Sequence, residues 1–282
     1  MEIIKTIPDM QKRANELRNE GKRIGLVPTM GALHEGHISL FKIARPLCDV
    51  LITSIFVNPT QFGENEDLEI YPRDFEGDEK KCKSAGVDII FYPSTDEMYP
   101  EGYTTFVEVK GLSEIMCGRT RPNHFKGVAT VVAKLFNIVK PHLSVFGNKD
   151  YQQAVIIEKM VEDLNFDVEI IRAPIVRESD GLAMSSRNAY LKDDERRQAL
   201  YIYRALKRAE EIIKGGERDI DVIIEEIRET IESNSDMKID YIEIRDAGNL
   251  GELEVLEGEI LISIACFVGE KTRLIDNITL RV

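Results

Sequence analysis

Residues 24–40, IGLVPTMGALHEGHISL, constrain this chain more than any other stretch. The apolar run through Ile24, Leu26 and Val27 predicts a buried strand, Pro28, Thr29, Met30 and Gly31 predict a turn, and His34, Gly36 and His37 fall in a predicted helix. A strand, a glycine turn and a helix start make the first half of a βαβ unit. The first backbone N–H groups of such a helix lack intrahelical partners and, with the helix dipole, form a natural anion site. His34 and His37, three positions apart, share one helical face and can address the same ligand. A phosphate-bearing substrate is the first expectation. The other reading is a metal held by these imidazoles, with His124 and His142 completing the set, although no Cys or carboxylate falls at a ligand spacing.

The strand–helix alternation continues downstream. Residues 50–57 are continuously apolar and β-branched, as a central parallel strand requires, and they deliver Asn58, Pro59, Thr60, Gln61 and Phe62 to the carboxyl edge where open α/β sheets bind ligands. A lead-in and an amphipathic helix are expected over 2–21, helices over 71–85 and from 123, and strands at 87–92, 143–146 and 168–171. Residues 99–110 alternate like an exposed strand, and 111–122, rich in Gly and Arg, read as a mobile loop. The fold class is therefore α/β, a doubly wound, Rossmann-like parallel sheet. Beyond residue 176 the pattern changes: a loop at 181–188, helices over 193–213 and 220–231, then strands at 239–245, 259–268 and 272–282. This is the signature of a smaller C-terminal α+β domain with an antiparallel sheet, giving domains 1–176 and 177–282.

The formal charge of −13 argues against a nucleic-acid partner, which would need a dense basic stripe. It also means that a phosphate site must concentrate cations locally and recruit Mg²⁺. No apolar run has the length of a membrane span and no signal-peptide pattern opens the chain, so a cytoplasmic protein is expected. Cys48, Cys82, Cys117 and Cys266 show no CxxC pairing and read as small buried hydrophobes.

His34-Glu35-Gly36-His37 resembles the HxGH signature of the class I aminoacyl-tRNA synthetase and nucleotidylyltransferase (HIGH) superfamily. Phe56-Val57-Asn58-Pro59-Thr60-Gln61-Phe62, Phe146-Gly147-Asn148-Lys149-Asp150-Tyr151-Gln152-Gln153 and Met184-Ser185-Ser186-Arg187-Asn188 accompany it in order. With Pro28-Thr29-Met30-Gly31, Tyr71-Pro72-Arg73 and Arg121-Pro122-Asn123-His124-Phe125, the set closely resembles the pantothenate synthetases over residues 24–190. The resemblance implies an acid–amine ligase in which ATP and pantoate form pantoyl adenylate with loss of pyrophosphate, and β-alanine then displaces AMP. It also implies Mg²⁺ accompanying ATP, through ligands that stay unassigned, and a homodimer.

By resemblance, ATP is embraced by Met30, Gly31, Ala32, Leu33, His34, Glu35, Gly36 and His37 and by Gly147, Asn148, Lys149 and Asp150. Val176, Met184, Ser185, Ser186 and Arg187 close over adenine and phosphates, with the C-terminal domain as a lid. His37 carries over as the proton donor, within a catalytic set of His34, His37, Lys149 and Arg187; Gln61 and Gln153 carry over as pantoate ligands. Two departures stand out: Asn148 occupies a place that is acidic in many relatives, and residues 184–187 lack the lysine of the synthetases' KMSKS loop, leaving the cationic role to Lys149 and Arg187. The chemistry suits these side chains. A carboxylate attacking an α-phosphorus meets like-charge repulsion, so cations must neutralise the phosphates, while amides hold the acid without adding charge. A nucleotidylyltransferase that stops at a nucleotide-linked product is the alternative enzyme.

Overall fold

The computed structural model describes residues 1–64 and 66–282. Its elements run β1 (Glu2–Ile4), α1 (Ile7–Asn19), β2 (Ile24–Thr29), α2 (Glu35–Ala44), β3 (Val50–Ile55), α3 (Phe75–Ser84), β4 (Ile89–Phe91), α4 (Thr95–Met98), α5 (Cys117–Thr120), α6 (His124–Val139), β5 (Leu143–Gly147), α7 (Tyr151–Asp163), β6 (Glu169–Ala173), α8 (Asp193–Lys214), α9 (Ile220–Glu232), β7 (Lys238–Asp246), β8 (Glu259–Val268) and β9 (Thr272–Arg281). The chain divides into two compact units, Met1–Asn148 with Ile156–Pro174, and Lys149–Val155 with Ile175–Val282. Among the described residues no helix is long and apolar enough to cross a membrane.

The first unit is a parallel sheet in the order β1-β4-β3-β2-β5-β6. β2 pairs with β3 from Ile24↔Val50 to Thr29↔Ile55 and, on its other edge, with β5 at Gly25↔Leu143. The winding therefore reverses between β2 and β5. In an open α/β sheet that reversal opens a crevice at the strands' carboxyl ends, and here those ends carry the 30–37 turn and Gly147. Leu26, Val27, Leu51, Ile52, Ile90 and Val145 are fully buried along the sheet, matching the apolar runs that parallel strands covered on both faces need. α6 comes unusually close to the end of β3: a Cβ on Gly127 would lie 2.4 Å from the Thr60 carbonyl oxygen, so only glycine fits there.

Three local expectations change. The lead-in contains β1, a parallel edge strand paired with β4 at Glu2↔Ile89, Ile3↔Ile90 and Ile4↔Phe91; three residues carry no readable periodicity. Residues 99–110 form no strand. Their alternation reflects one face lying on α6, where Val107 N–H donates to Thr130 Oγ1 and Lys126 and Lys134 sit over the Phe106 and Tyr103 rings. The 111–122 segment is anchored by α5, with Met116 and Cys117 in the core.

The second unit builds on the antiparallel sheet β7-β8-β9. α8 buries Ala199, Ile202, Ala205, Leu206, Ala209 and Ile213, a stripe at helical spacing, against Ile223 and Ile227 of α9 and Ile262 and Ile264 of β8. Asp219 caps α9 by accepting from the Asp221 and Val222 N–H groups. All four cysteines are free thiols, and Cys82, Cys117 and Cys266 are buried.

His142 supplies a pH test of the first unit. Its Nδ1 accepts the Ile24 N–H at 2.9 Å, at the amino end of β2. Burial pushes its pKa below the ordinary 6.5, and Arg18 and Arg23 add to the shift. Because the folded ring resists protonation, the unfolded chain takes up the proton first. Its contribution to stability is complete above the ordinary value and is lost as pH falls from there through the lower folded value. Urea unfolding between pH 7.5 and 5 should show this loss in the parent chain and a shallower slope in His142→Gln; equal slopes would remove His142 as its source.

Candidate active site

The site starts where β2 ends. Thr29 Oγ1 donates to the Ser54 carbonyl at 2.8 Å and accepts the Gly31 N–H at 3.2 Å. Gly31 (φ +86°) and Ala32 (φ +51°) are both left-handed, a conformation that costs an L-residue such as Ala about 1–2 kcal/mol. Asp78 of α3 holds it: Oδ2 accepts from Ala32 N–H at 2.8 Å and Oδ1 from Leu33 N–H at 2.7 Å, while Lys81 Nζ donates to the Leu33 carbonyl at 2.7 Å. Asp78 is 1% exposed. Burial pushes its pKa up, against the pull of the Leu33 and Ala32 amides and of Lys81.

The two imidazoles then lock one another. His34 is the N-cap of α2 and its Nδ1 accepts the Gly36 N–H at 3.1 Å, while His37 Nδ1 accepts the His34 N–H at 3.2 Å. The rings lie 4.2 Å apart with planes at 47°. A backbone N–H only donates, so each Nδ1 lone pair is taken and each neutral ring carries its proton on Nε2. This corrects the expectation of a bare helix start. The Ala32, Leu33, His34 and Gly36 amides already serve internal acceptors.

His142, at the amino end of β2, lies at the opposite edge of the sheet and cannot complete a four-histidine metal set. Nor does His124, whose nitrogens are both engaged: Nδ1–H donates to the Gln61 carbonyl at 2.8 Å and Nε2 accepts from Arg121 at 3.2 Å. Arg121 is held in turn by Glu66 at 2.7 Å. Among the described residues no three His, Cys, Asp or Glu side chains converge on a metal position.

Gln61 ends the short Pro59–Gln61 turn after β3. Buried Asn58 donates through Nδ2 to the Gly127 carbonyl and to Gln61 Oε1, both at 3.1 Å, and its Oδ1 accepts from Thr60 and Tyr99 hydroxyls, both at 2.9 Å. Burial pushes the Tyr99 phenol up to about 12, so it stays a donor. With its oxygen committed, Gln61 offers the amide's donor end, and Nε2 lies 3.2 Å from Met30 Sδ. The first unit thus brings Met30 and Gln61 together. Asn58 and Asp78 carry no role in the sequence reading. The available signals were a polar residue directly after a buried strand and, in α3, a carboxylate sharing the buried face with Cys82.

The second unit gathers other predicted residues. Lys149 Nζ lies 3.9 Å from Asp150 Oδ1, and Gln153, half-buried, falls in the first turn of α7. The Val176 carbonyl accepts the Met184 N–H at 3.0 Å, and an Arg177↔Ala183 bridge closes that loop, bringing Val176 and Met184 together. Ser185 Oγ accepts the Arg187 N–H at 3.2 Å and caps the Ser186–Tyr190 turn. Its hydroxyl proton remains a donor.

A family model described as pantoate-beta-alanine ligase matches residues 2–279. The pantothenate synthetase of Moorella thermoacetica is 53% identical over 282 residues, covering 100% of this chain and 99% of the relative. That of Thermotoga petrophila is 54% identical over 277 residues, covering 98% and 99%. The crystal structure of pantothenate synthetase from Thermus thermophilus superposes with a TM-score of 0.93 at 40% identity, covering 99% of each chain. A Francisella tularensis pantoate-beta-alanine ligase, crystallised with beta-gamma ATP and beta-alanine, gives 0.82 at 37% identity, covering 99% of this chain and 97% of its own.

Asp78→Asn tests the clamp on the turn. The amide keeps one acceptor but turns an NH₂ toward the other backbone N–H, which should cost about 1–3 kcal/mol in urea unfolding. The ¹⁵N signals of the His34 and His37 rings should shift with it. Unchanged ring signals would separate Asp78 from the imidazole geometry.

Proposed function

This chain belongs to the pantoate–beta-alanine ligase family, and we propose that its residues carry the ATP-dependent condensation of pantoate with β-alanine as follows. The pantoate carboxylate attacks the α-phosphorus of ATP, forming the phosphorus–oxygen bond of pantoyl adenylate as pyrophosphate leaves. The deprotonated amine of β-alanine then attacks the acyl carbon, forming the amide and releasing AMP. The observation that carries the assignment is the reciprocal imidazole cap at the sheet's switch point, which commits both Nδ1 atoms and leaves Nε2–H on each ring as the donor.

His34 and His37 donate to phosphate oxygens through Nε2–H, and His37 supports the departing pyrophosphate as proton donor. Lys149 and Arg187 add the cations that offset the charge of the triphosphate. Charge-assisted hydrogen bonds contribute about 1.5–3 kcal/mol each, more than the roughly 0.3–1 kcal/mol of a helix dipole, so side chains outweigh the helix end. Gln61, oriented by Asn58, donates to the pantoate carboxylate without adding repulsive charge, and Gln153 is its second ligand. The nucleotide residues assigned by the family resemblance are Met30–His37, Gly147 and Asn148 in the first unit and Lys149, Asp150, Val176 and Met184–Arg187 in the second.

Mg²⁺ belongs to this reading as a companion of ATP. Both Asp78 oxygens are taken by backbone N–H groups and no carboxylate cage exists among the described residues. The ion would come with the triphosphate and offset its charge there; no step here runs through it. The enzyme works as a cytoplasmic homodimer, a reading supported by family resemblance and by exposed apolar side chains such as Leu47 and Phe106.

With ATP and pantoate present, AMP should accumulate catalytically only when β-alanine is added; turnover without the amine would instead favour a nucleotidylyltransferase. His37→Ala should keep the fold and slow adenylate formation by about 100-fold or more. Near-normal turnover would take His37 out of the mechanism. Gln61→Glu, which sets a second anion against the substrate acid, should raise KM for pantoate by more than about tenfold with little change for ATP. An equal rise for both substrates would reject Gln61 as the pantoate donor.

A further inference from the structure

β9 carries two consecutive polar residues, Asp276 and Asn277, each 3% exposed. Neighbouring strand residues point to opposite faces, so a pair buried together is covered on both sides. Burying such groups is unfavourable unless they are fully hydrogen-bonded. Asp276 receives a bidentate Arg177, Oδ2 at 2.6 Å and Oδ1 at 2.9 Å, and accepts the Asn277 N–H at 2.8 Å. Arg177 also donates to the Gly181 carbonyl at 3.1 Å, and its guanidinium stacks 3.8 Å from the centre of the Tyr203 ring. Asn277 Nδ2 donates to the carbonyl of Lys149 at 3.0 Å.

The two anchors lead to different places in the chain. Arg177 follows Val176 and, through its bridge with Ala183, sets the loop that ends in Met184–Arg187. Lys149 comes earlier, and α7 and β6 lie between the two. Yet Lys149 clusters with the second unit rather than with the sheet from which its segment emerges. β9 also packs against the Ser186–Tyr190 turn. One strand near the carboxyl end therefore holds the backbone of one cation and the loop of the other.

We infer that Asp276 and Asn277 are positioning residues that set the spacing between Lys149 and Arg187. This rests on the reading that both cations address the triphosphate. Asp276 acts through Arg177 and the 176–187 loop, and Asn277 acts through the Lys149 carbonyl. Burial pushes the Asp276 carboxyl up while Arg177 and Lys149 pull it back. Both carboxylate oxygens are taken by Arg177.

Asp276→Asn would remove the countercharge of a half-buried guanidinium and risks misfolding, so the test uses Asn277→Ala, Lys149→Met and their double variant in the full chain. Circular dichroism checks the fold. Asn277→Ala should raise KM for ATP about fivefold, the scale of one lost neutral hydrogen bond, with KM for pantoate unchanged. In the Lys149→Met background the same substitution should add nothing, because its route is already cut. Full additivity, or an equal rise for ATP and pantoate, would overturn the positioning role while leaving the nucleotide reading intact. A normal KM for ATP in Lys149→Met alone would instead overturn the reading of Lys149, and the inference with it.

Discussion

The turn after β2 must satisfy its own backbone donors before it can do anything else, and the way it does so decides the chemistry of the first unit. A helix start leaves several N–H groups without intrahelical partners. Here Asp78 takes two upstream amides, and His34 and His37 take two more at the start of α2. The helix end is thereby nearly closed to a ligand. In exchange, each imidazole is fixed through its Nδ1, which sets the tautomer of the neutral ring.

The same logic extends to Gln61. An amide can turn either end toward a ligand, and the two ends suit opposite partners. Asn58 removes the ambiguity: the Gly127 carbonyl can only accept, which fixes the Asn58 amide and through it the Gln61 oxygen. The approach of α6 is part of this arrangement, because the Gly127 carbonyl comes within reach only where no Cβ intervenes. A protein of charge −13 that handles a triphosphate and a carboxylate has reason to use such neutral donors. They attract an anion without repelling a second one, and they need few local cations.

What could be read from the sequence follows the range of the interactions involved. The β2–turn–α2 unit, the alternation through β6 and the antiparallel C-terminal sheet all show local periodicity, and each appears close to its expected limits. β1 does not, because three residues owe their strand geometry wholly to pairing with β4, more than eighty residues downstream. The 99–110 alternation was genuine but came from packing on α6. Site residues divide the same way. His34, His37 and Gln61 stand in recognisable motifs, whereas Asp78 and Asp276 gain meaning only from partners at Ala32 and Arg177 that no spacing rule connects to them. The tautomers were equally hidden, since they depend on which acceptor lies against which amide.

The Arg177–Asp276 pair shows why a buried ion pair is kept at such a place. Removing both charges from water is costly, and well-packed apolar residues of similar volume often stabilise a fold as well or better. Stability alone therefore does not account for it. Apolar packing is also weakly directional, and β9 could settle against the loop in several nearby positions of similar energy. The planar guanidinium admits far fewer, because it must meet both carboxylate oxygens, the Gly181 carbonyl and the face of Tyr203 at once. Ångström-scale errors in the placement of a cation weaken its bond to a phosphate oxygen steeply, so a site that works by charge alignment gains more from that constraint than from additional hydrophobic burial.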